Sequence, residues 1–261
     1  MCFEFDAIPP ELPAGLAIPR ASGGAAAELL ELESADGTRF SAAFAGAADA
    51  RGPAVVIYPD VRGLYPFYIQ LAERFAQAGH HAIAIDYFGR TAGLGPRGED
   101  FDYPQHVPQT KSKQIQADTR AAVDAVAERA GERSAVSVGF CFGGGESFLA
   151  ATNEELGLAG AVSFYAGLDR SKWGLASPTD HAADLRCPFL GLFGGADQGI
   201  PVEMVERFDA DLDASGRPHE IVIYPGAPHS FFDRGFEEFA EASEDAWRRV
   251  LGFLDGVSAR V

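Results

Sequence analysis

The chain has 261 residues, of which 47% are hydrophobic and 23% charged, an ordinary globular composition, and the length allows one large α/β domain or two small ones. A formal net charge of −17 argues against a nucleic-acid or anionic-membrane partner. Three cysteines, Cys2, Cys141 and Cys187, argue against a disulfide framework.

Residues 1–24 carry Pro9, Pro10, Pro13 and Pro19 without a steady period, and read as an extended arm lying on the domain. Met1–Asp6 lacks a basic region followed by an apolar core, so no signal peptide is expected. No apolar run is long enough to span a bilayer. The expected setting is a soluble, reducing cytoplasm, where Cys141 stays a free thiol. Glu28 to Glu33 and Thr38 to Ala45 read as two strands around an Asp36-Gly37 turn. Pro53 to Tyr58 is a continuous apolar run, the kind buried on both faces of a parallel sheet, and ends in the loop Pro59-Asp60-Val61-Arg62-Gly63. Phe67 to Ala78 reads as a helix closed by Gly79, and His81 to Asp86 as another buried strand.

Tyr87 to Thr110, rich in glycine, proline and aromatics, is long for a plain connection and has the character of a lid or binding loop. Ser112 to Ala130 is a helix, with Ile115, Val123 and Val126 among its apolar positions. A strand around Val138 follows, then a glycine-rich turn and a further helix. Leu158 to Phe164 is a strand, Tyr165 to Leu185 a second long loop, and Cys187 to Phe193 a strand ending at Gly194-Gly195-Ala196-Asp197. Val202 to Ala214 is a helix, Glu220 to Tyr224 a strand, and Phe239 to Leu254 the closing helix. The alternation implies a mostly parallel sheet covered by helices on both faces. No repeat or linker divides residues 25–261, which read as a single domain.

The turn Gly139-Phe140-Cys141-Phe142-Gly143 has the form G-x-S-x-G with sulfur for the hydroxyl. Small neighbours let strand and helix pass closely while the central side chain points outward. The following helix aims its N-terminal amides at the sulfur and favours thiolate. A buried structural cysteine is the alternative.

Chemistry in such sheets gathers at the carboxyl ends of the strands. Cys141, Asp60, Asp197 and His229 all fall just past such an end. The order Cys141, Asp197, His229 is that of the α/β-hydrolase triad: sulfur attacks, imidazole takes and returns the proton, carboxylate holds the imidazole tautomer. Each has a plainer alternative. Asp197 could cap the helix near Pro201, and His229 could be a surface loop histidine. His80, His81 and His219 open strands at the opposite end of the sheet. His106 and His181 lie in the long loops, and neither directly follows a strand. Cys187 opens a strand and reads as core. No cluster has metal-ligand spacing.

Three segments then resemble the dienelactone hydrolase family, the carboxymethylenebutenolidase type of α/β hydrolase: Val138-Gly139-Phe140-Cys141-Phe142-Gly143-Gly144, Gly195-Ala196-Asp197-x-x-Ile200-Pro201, and Tyr224-Pro225-Gly226-Ala227-Pro228-His229-Ser230-Phe231. Ile57 to Gly63 and Ala84 to Arg90 also fit, and the similarity runs from about Ala54 to Leu254. The resemblance implies an α/β-hydrolase fold and cofactor-independent hydrolysis of a small-molecule lactone or ester through a cysteine acyl-enzyme. It implies an oxyanion hole from the Phe142 and Val61 N–H groups. It places Asp60 beside the resting thiol, one methylene shorter than the family's glutamate. A loop-capping Asp60 is the alternative. Family substrates carry a carboxylate held by arginines. Candidates here are Arg62, Arg90, Lys111, Lys113 and Arg234, with Arg90 and Arg234 preferred. Asp233 before Arg234 departs from the family pattern and leaves a neutral ester or lactone open. Competing readings are a non-enzymatic small-molecule binding protein on the same fold and a redox-sensing thiol protein.

Overall fold

The apolar runs are found at the centre of one sheet. In a computed structural model, described here for residues 7–14, 26–233 and 236–258, β1 (Glu28–Glu33) and β2 (Arg39–Ala45) form the hairpin. β3 (Ala54–Tyr58), β4 (Ala82–Ile85), β5 (Ala135–Phe140), β6 (Gly160–Phe164) and β7 (Phe189–Gly194) are buried at every residue. β8 (His219–Tyr224) closes the far edge. The eight strands run in the order β1-β2-β4-β3-β5-β6-β7-β8. β2 meets β4 antiparallel, and every pairing from β4 to β8 is parallel. Strands buried on both faces have no use for polar alternation, which is why they read as continuous apolar runs.

Helices α1 (Pro66–Gln77) and α7 (Ala240–Ser258) cover one face, where Phe75 of α1 meets Trp247 of α7 at 5.0 Å between ring centroids. On the other face lie α4 (Ser112–Ala130), α5 (Phe142–Ala151) and α6 (Val202–Leu212), with Phe148 of α5 against Phe208 of α6 at 5.0 Å. None of the described helices is long and apolar enough to cross a membrane. Pro9, Pro10 and Pro13 are buried, and the Trp247 indole N–H donates to the Pro10 carbonyl at 3.3 Å, so this described stretch of the N-terminal segment lies on α7.

The topology itself sets a switch point between β3 and β5. β3 leads through α1 to β4 on one side, whereas β5 leads through α5 to β6 on the other. Because β3 and β5 are neighbours, the chain leaving their carboxyl ends diverges, the arrangement that leaves room for a ligand in open α/β sheets. The loop holding Asp60 and Val61 and the turn holding Cys141 flank that point.

The stretch from Tyr87 to Thr110 is more ordered than its composition suggests. It contains two short helices, α2 (Gly89–Ala92) and α3 (Tyr103–His106). The buried Arg97 guanidinium donates to Asp86 from Nε at 3.0 Å and from Nη2 at 2.6 Å, and Nη2 also reaches the Gly93 carbonyl at 2.6 Å. The pair ties the segment to the carboxyl end of β4.

Candidate active site

The strand β5 delivers Cys141 to a turn that the surrounding glycines make sterically feasible. Cys141 holds φ 54° and ψ −112°, a conformation an L residue adopts at a cost of about 1–3 kcal/mol. A Cβ on Gly139 would lie 2.0 Å from the Gly143 carbonyl oxygen, and one on Gly143 would lie 2.1 Å from that of Pro59. Neither site has room for a methyl group, so both glycines are dictated by close backbone approach. The Cys141 N–H donates to Phe164 O at 3.0 Å, and its carbonyl accepts from Gly145 N at 3.2 Å and Gly167 N at 3.3 Å. The side chain is half-buried at the N-terminus of α5.

His229 follows β8 after Pro228, on a turn where Ser230 adopts φ 60° and sends Phe231 and Phe232 into the core. Its Nδ1–H donates to Asp197 Oδ2 at 2.6 Å. A second hydrogen bond joins its side chain to Cys141. With Nδ1 committed to the carboxylate, Nε2 is the nitrogen left for sulfur. Burial works against a charged imidazole here. The hydrogen bonds to Asp197 and Cys141, together with their charges, outweigh it and push His229 up to about 10. The arrangement therefore favours a protonated imidazole at neutral pH.

Asp197 is buried after β7 and divides its oxygens between two tasks. Oδ2 serves His229. Oδ1 accepts from Gly199 N at 2.8 Å and Ile200 N at 3.2 Å, which pins the carboxylate in its own turn. It does not cap α6, whose N-cap position is Pro201.

Phe142 supplies the first N–H of α5, an amide with no acceptor inside the helix. Val61 lies in the loop after β3, where Gly63 N turns back to Asp60 O at 3.1 Å and Arg62 N donates to Asp60 Oδ1 at 2.8 Å. Those two bonds hold the loop without using the Val61 N–H. Asp60 is fully buried, and the Arg62 guanidinium grips both its oxygens, with Nη2 3.1 Å from Oδ2 and Nε 3.4 Å from Oδ1. Arg62 also lies over the Tyr65 ring at 4.5 Å.

The preferred anion-binding residue Arg90 is placed otherwise than the sequence suggested. Its Nε and Nη2 bond both oxygens of Asp36 at 2.9 and 3.0 Å, and its Nη1 bonds Asp118 at 2.7 Å. It ties the β1–β2 turn and α2 to α4, and the Arg90 hydrogen bond holds Asp36 down to about 2. A guanidinium committed to two carboxylates is a structural clamp, not a waiting anion site. Arg234, the other preferred cation, lies outside the described residues, as does Cys2. Among the remaining histidines, His106 stacks on Phe101 at 5.0 Å and His181 pairs with Asp184 at 3.0 Å. Cys187 is a core residue whose thiol burial pushes up to about 12.

Two tyrosines at the site were not anticipated. Tyr87 is buried, donates from Oη to Pro59 O at 2.6 Å and also bonds Asp60 O, and packs on Phe142 at 5.4 Å. It thereby braces the Val61 loop against the helix that carries the other amide. Tyr165, at φ 36°, packs against His229 at 5.0 Å and donates to Asp233 Oδ2 at 2.9 Å. Burial first, then the Asp233 charge, holds the Tyr165 hydroxyl well above the usual phenol range, so it remains a neutral donor. Tyr165 stands just past the carboxyl end of β6. That is the same positional signal that marked Cys141, Asp197 and His229.

Known proteins resemble the chain over most of its length. The model of the dienelactone hydrolase family matches residues 40–258. A protein of Methylorubrum extorquens named "Putative carboxymethylenebutenolidase" is 33% identical over 208 residues, covering 76% of this chain and 70% of its own. One of the same name from Escherichia coli K12 is 32% identical over 213 residues, covering 78% and 77%. A crystal structure described as a "Putative Dienelactone Hydrolase" from Klebsiella pneumoniae superposes with a TM-score of 0.74 at 29% identity, over 87% of this chain and 98% of that one. The sheet order is that of an α/β hydrolase, and the chain belongs to the dienelactone hydrolase family, hydrolases of esters and lactones.

Proposed function

We propose that the protein hydrolyses a small carboxylic ester or lactone through an acyl-enzyme on Cys141, with His229 as proton carrier and Asp197 as its orienting acid. The supporting observation is the chain of contacts from Asp197 Oδ2 through the His229 ring to Cys141. The Cys141 thiolate attacks the carbonyl carbon, and the developing oxyanion takes hydrogen bonds from the Phe142 and Val61 N–H groups. The tetrahedral intermediate collapses as His229 gives its proton to the leaving alkoxide. For a lactone, this leaving group stays attached to the acyl chain. His229 then takes a proton from water, the resulting hydroxide attacks the thioester, and the acid and thiolate return. No step calls for a cofactor.

Asp60, proposed as the neighbour of the resting thiol, has its charge balanced by Arg62, so it repels a thiolate less than a free carboxylate would. A turnover screen of dienelactones, simple lactones and aryl esters, with wild type beside protein alkylated at Cys141, tests the reading. Turnover lost on alkylation supports it. Turnover that survives alkylation, or ligand binding without turnover, would favour a different nucleophile or the binding-protein alternative.

Two further results are expected. The hydrogen bonds and charges that push His229 up to about 10 should place the falling alkaline limb of kcat/KM there, not near the ordinary imidazole value of 6.5. The sign follows from the raised pKa: the imidazolium that protonates the leaving group persists through neutral pH and is lost only as pH rises through about 10. Initial rates between pH 6 and 11 read this directly. Arg90→Ala, in turn, should lower the melting temperature by releasing the β1–β2 turn and leaving Asp118 buried without its cation. Its kcat/KM for acidic and neutral esters should change by the same factor. A selective loss on acidic substrates would return Arg90 to the substrate site.

A further inference from the structure

We infer that Arg170, working through a buried ion pair with Glu146, is the positioning residue that fixes the Phe142 amide for oxyanion stabilisation; this rests on the hydrolase reading above. Both side chains are buried, and Arg170 Nη1 meets Glu146 Oε1 at 2.8 Å. The same guanidinium donates from Nε and Nη2 to the Ala176 carbonyl at 2.8 and 2.6 Å and lies over the Phe142 ring at 5.2 Å. The Arg170 N–H donates to Ser177 Oγ at 2.8 Å, so the loop after β6 holds the arginine from its backbone as well.

The glycine run explains how the arginine gets there. A Cβ on Gly144 would lie 2.9 Å from Phe164 O, and one on Gly145 would lie 3.1 Å from Arg170 Nη1. Gly143, Gly144 and Gly145 therefore let three different neighbours reach the first turn of α5: the end of β3, the end of β6 and the Arg170 guanidinium. Glu146 Oε2 is buried without a hydrogen-bond partner among the described residues, so this carboxylate depends on Arg170. A charge held inside the fold at that cost, against the ring of the residue whose amide faces the oxyanion, is placed to set that amide's direction.

The test compares wild type with R170K and with R170M/E146Q, which removes both charges together and avoids stranding one of them. Each is assayed with an activated aryl ester and its thionoester, in which sulfur replaces the carbonyl oxygen and accepts hydrogen bonds poorly. Melting temperature is read alongside. In R170M/E146Q, kcat should fall about 10- to 100-fold with KM changed less, as for a misdirected transition-state donor. The preference for ester over thionoester should shrink. R170K, which keeps the charge but not the multiple bonds, should be intermediate on both measures. Folded variants with the wild-type ester preference would overturn the inference, whether or not kcat falls. If R170M/E146Q does not fold, R170K alone decides by the same ratio. A wild type inert towards every ester would instead overturn the hydrolase reading.

Discussion

Cys141→Ala is expected to lower kcat by on the order of 10⁶, the scale seen when a serine triad loses its nucleophile. The residue is replaced at a sterically tight turn, yet alanine needs less room than cysteine. The backbone strain at φ 54° remains and no new contact is introduced. The fold should therefore survive, with circular dichroism and melting temperature close to wild type. Residual catalysis should be that of the oxyanion donors and substrate binding alone. Assays with an activated aryl ester, at enzyme concentrations high enough to register single turnovers, check this. A variant within tenfold of wild type would show that sulfur does not carry the acyl group.

Asp197→Asn should cost about 10²–10⁴ in kcat, nearer the lower end, because a thiol ionises more easily than a hydroxyl and depends less on its base. Two effects combine. An amide nitrogen presented to Nδ1 would favour the wrong imidazole tautomer. Loss of the carboxylate also removes the hydrogen bond and charge that raise His229, so the alkaline limb should move down from about 10. The other half of the carboxylate must be watched. Oδ1 accepts the Gly199 and Ile200 amides, and if the amide oxygen of asparagine keeps those bonds the turn holds. Denaturation midpoints taken beside the pH–rate profile separate the two roles. An unchanged kcat with an unchanged alkaline limb would mean that another acid serves His229.

Features set by local sterics and by position along a strand were legible in the sequence. Gly139 and Gly143 cannot carry a side chain, so their spacing around Cys141 announces the turn before any fold is known. Asp197 and His229 stand out in the sequence because their strands end in recognisable turns. The apolar runs of β3 to β7 were legible because both faces are buried. Features set by distant partners were not. The role of Arg90 is decided by Asp36 and Asp118, 54 and 28 positions away, and nothing near residue 90 reveals them. Arg170 and Glu146 are 24 positions apart, and on sequence alone Glu146 is one more polar residue in a helix. α2 and α3 are four residues each, too short to show a helical period, and their segment is held by the Arg97–Asp86 pair.

The account rests most directly on where the acyl group sits during turnover. Wild-type protein mixed with an activated aryl ester, quenched in acid within the first turnovers and analysed by intact mass and peptide mapping, should gain one acyl mass on the peptide containing Cys141. The adduct should vanish with hydroxylamine and be absent from Cys141→Ala. Product formed at the normal rate with no acyl mass on Cys141, or with the mass on another residue, would contradict the account.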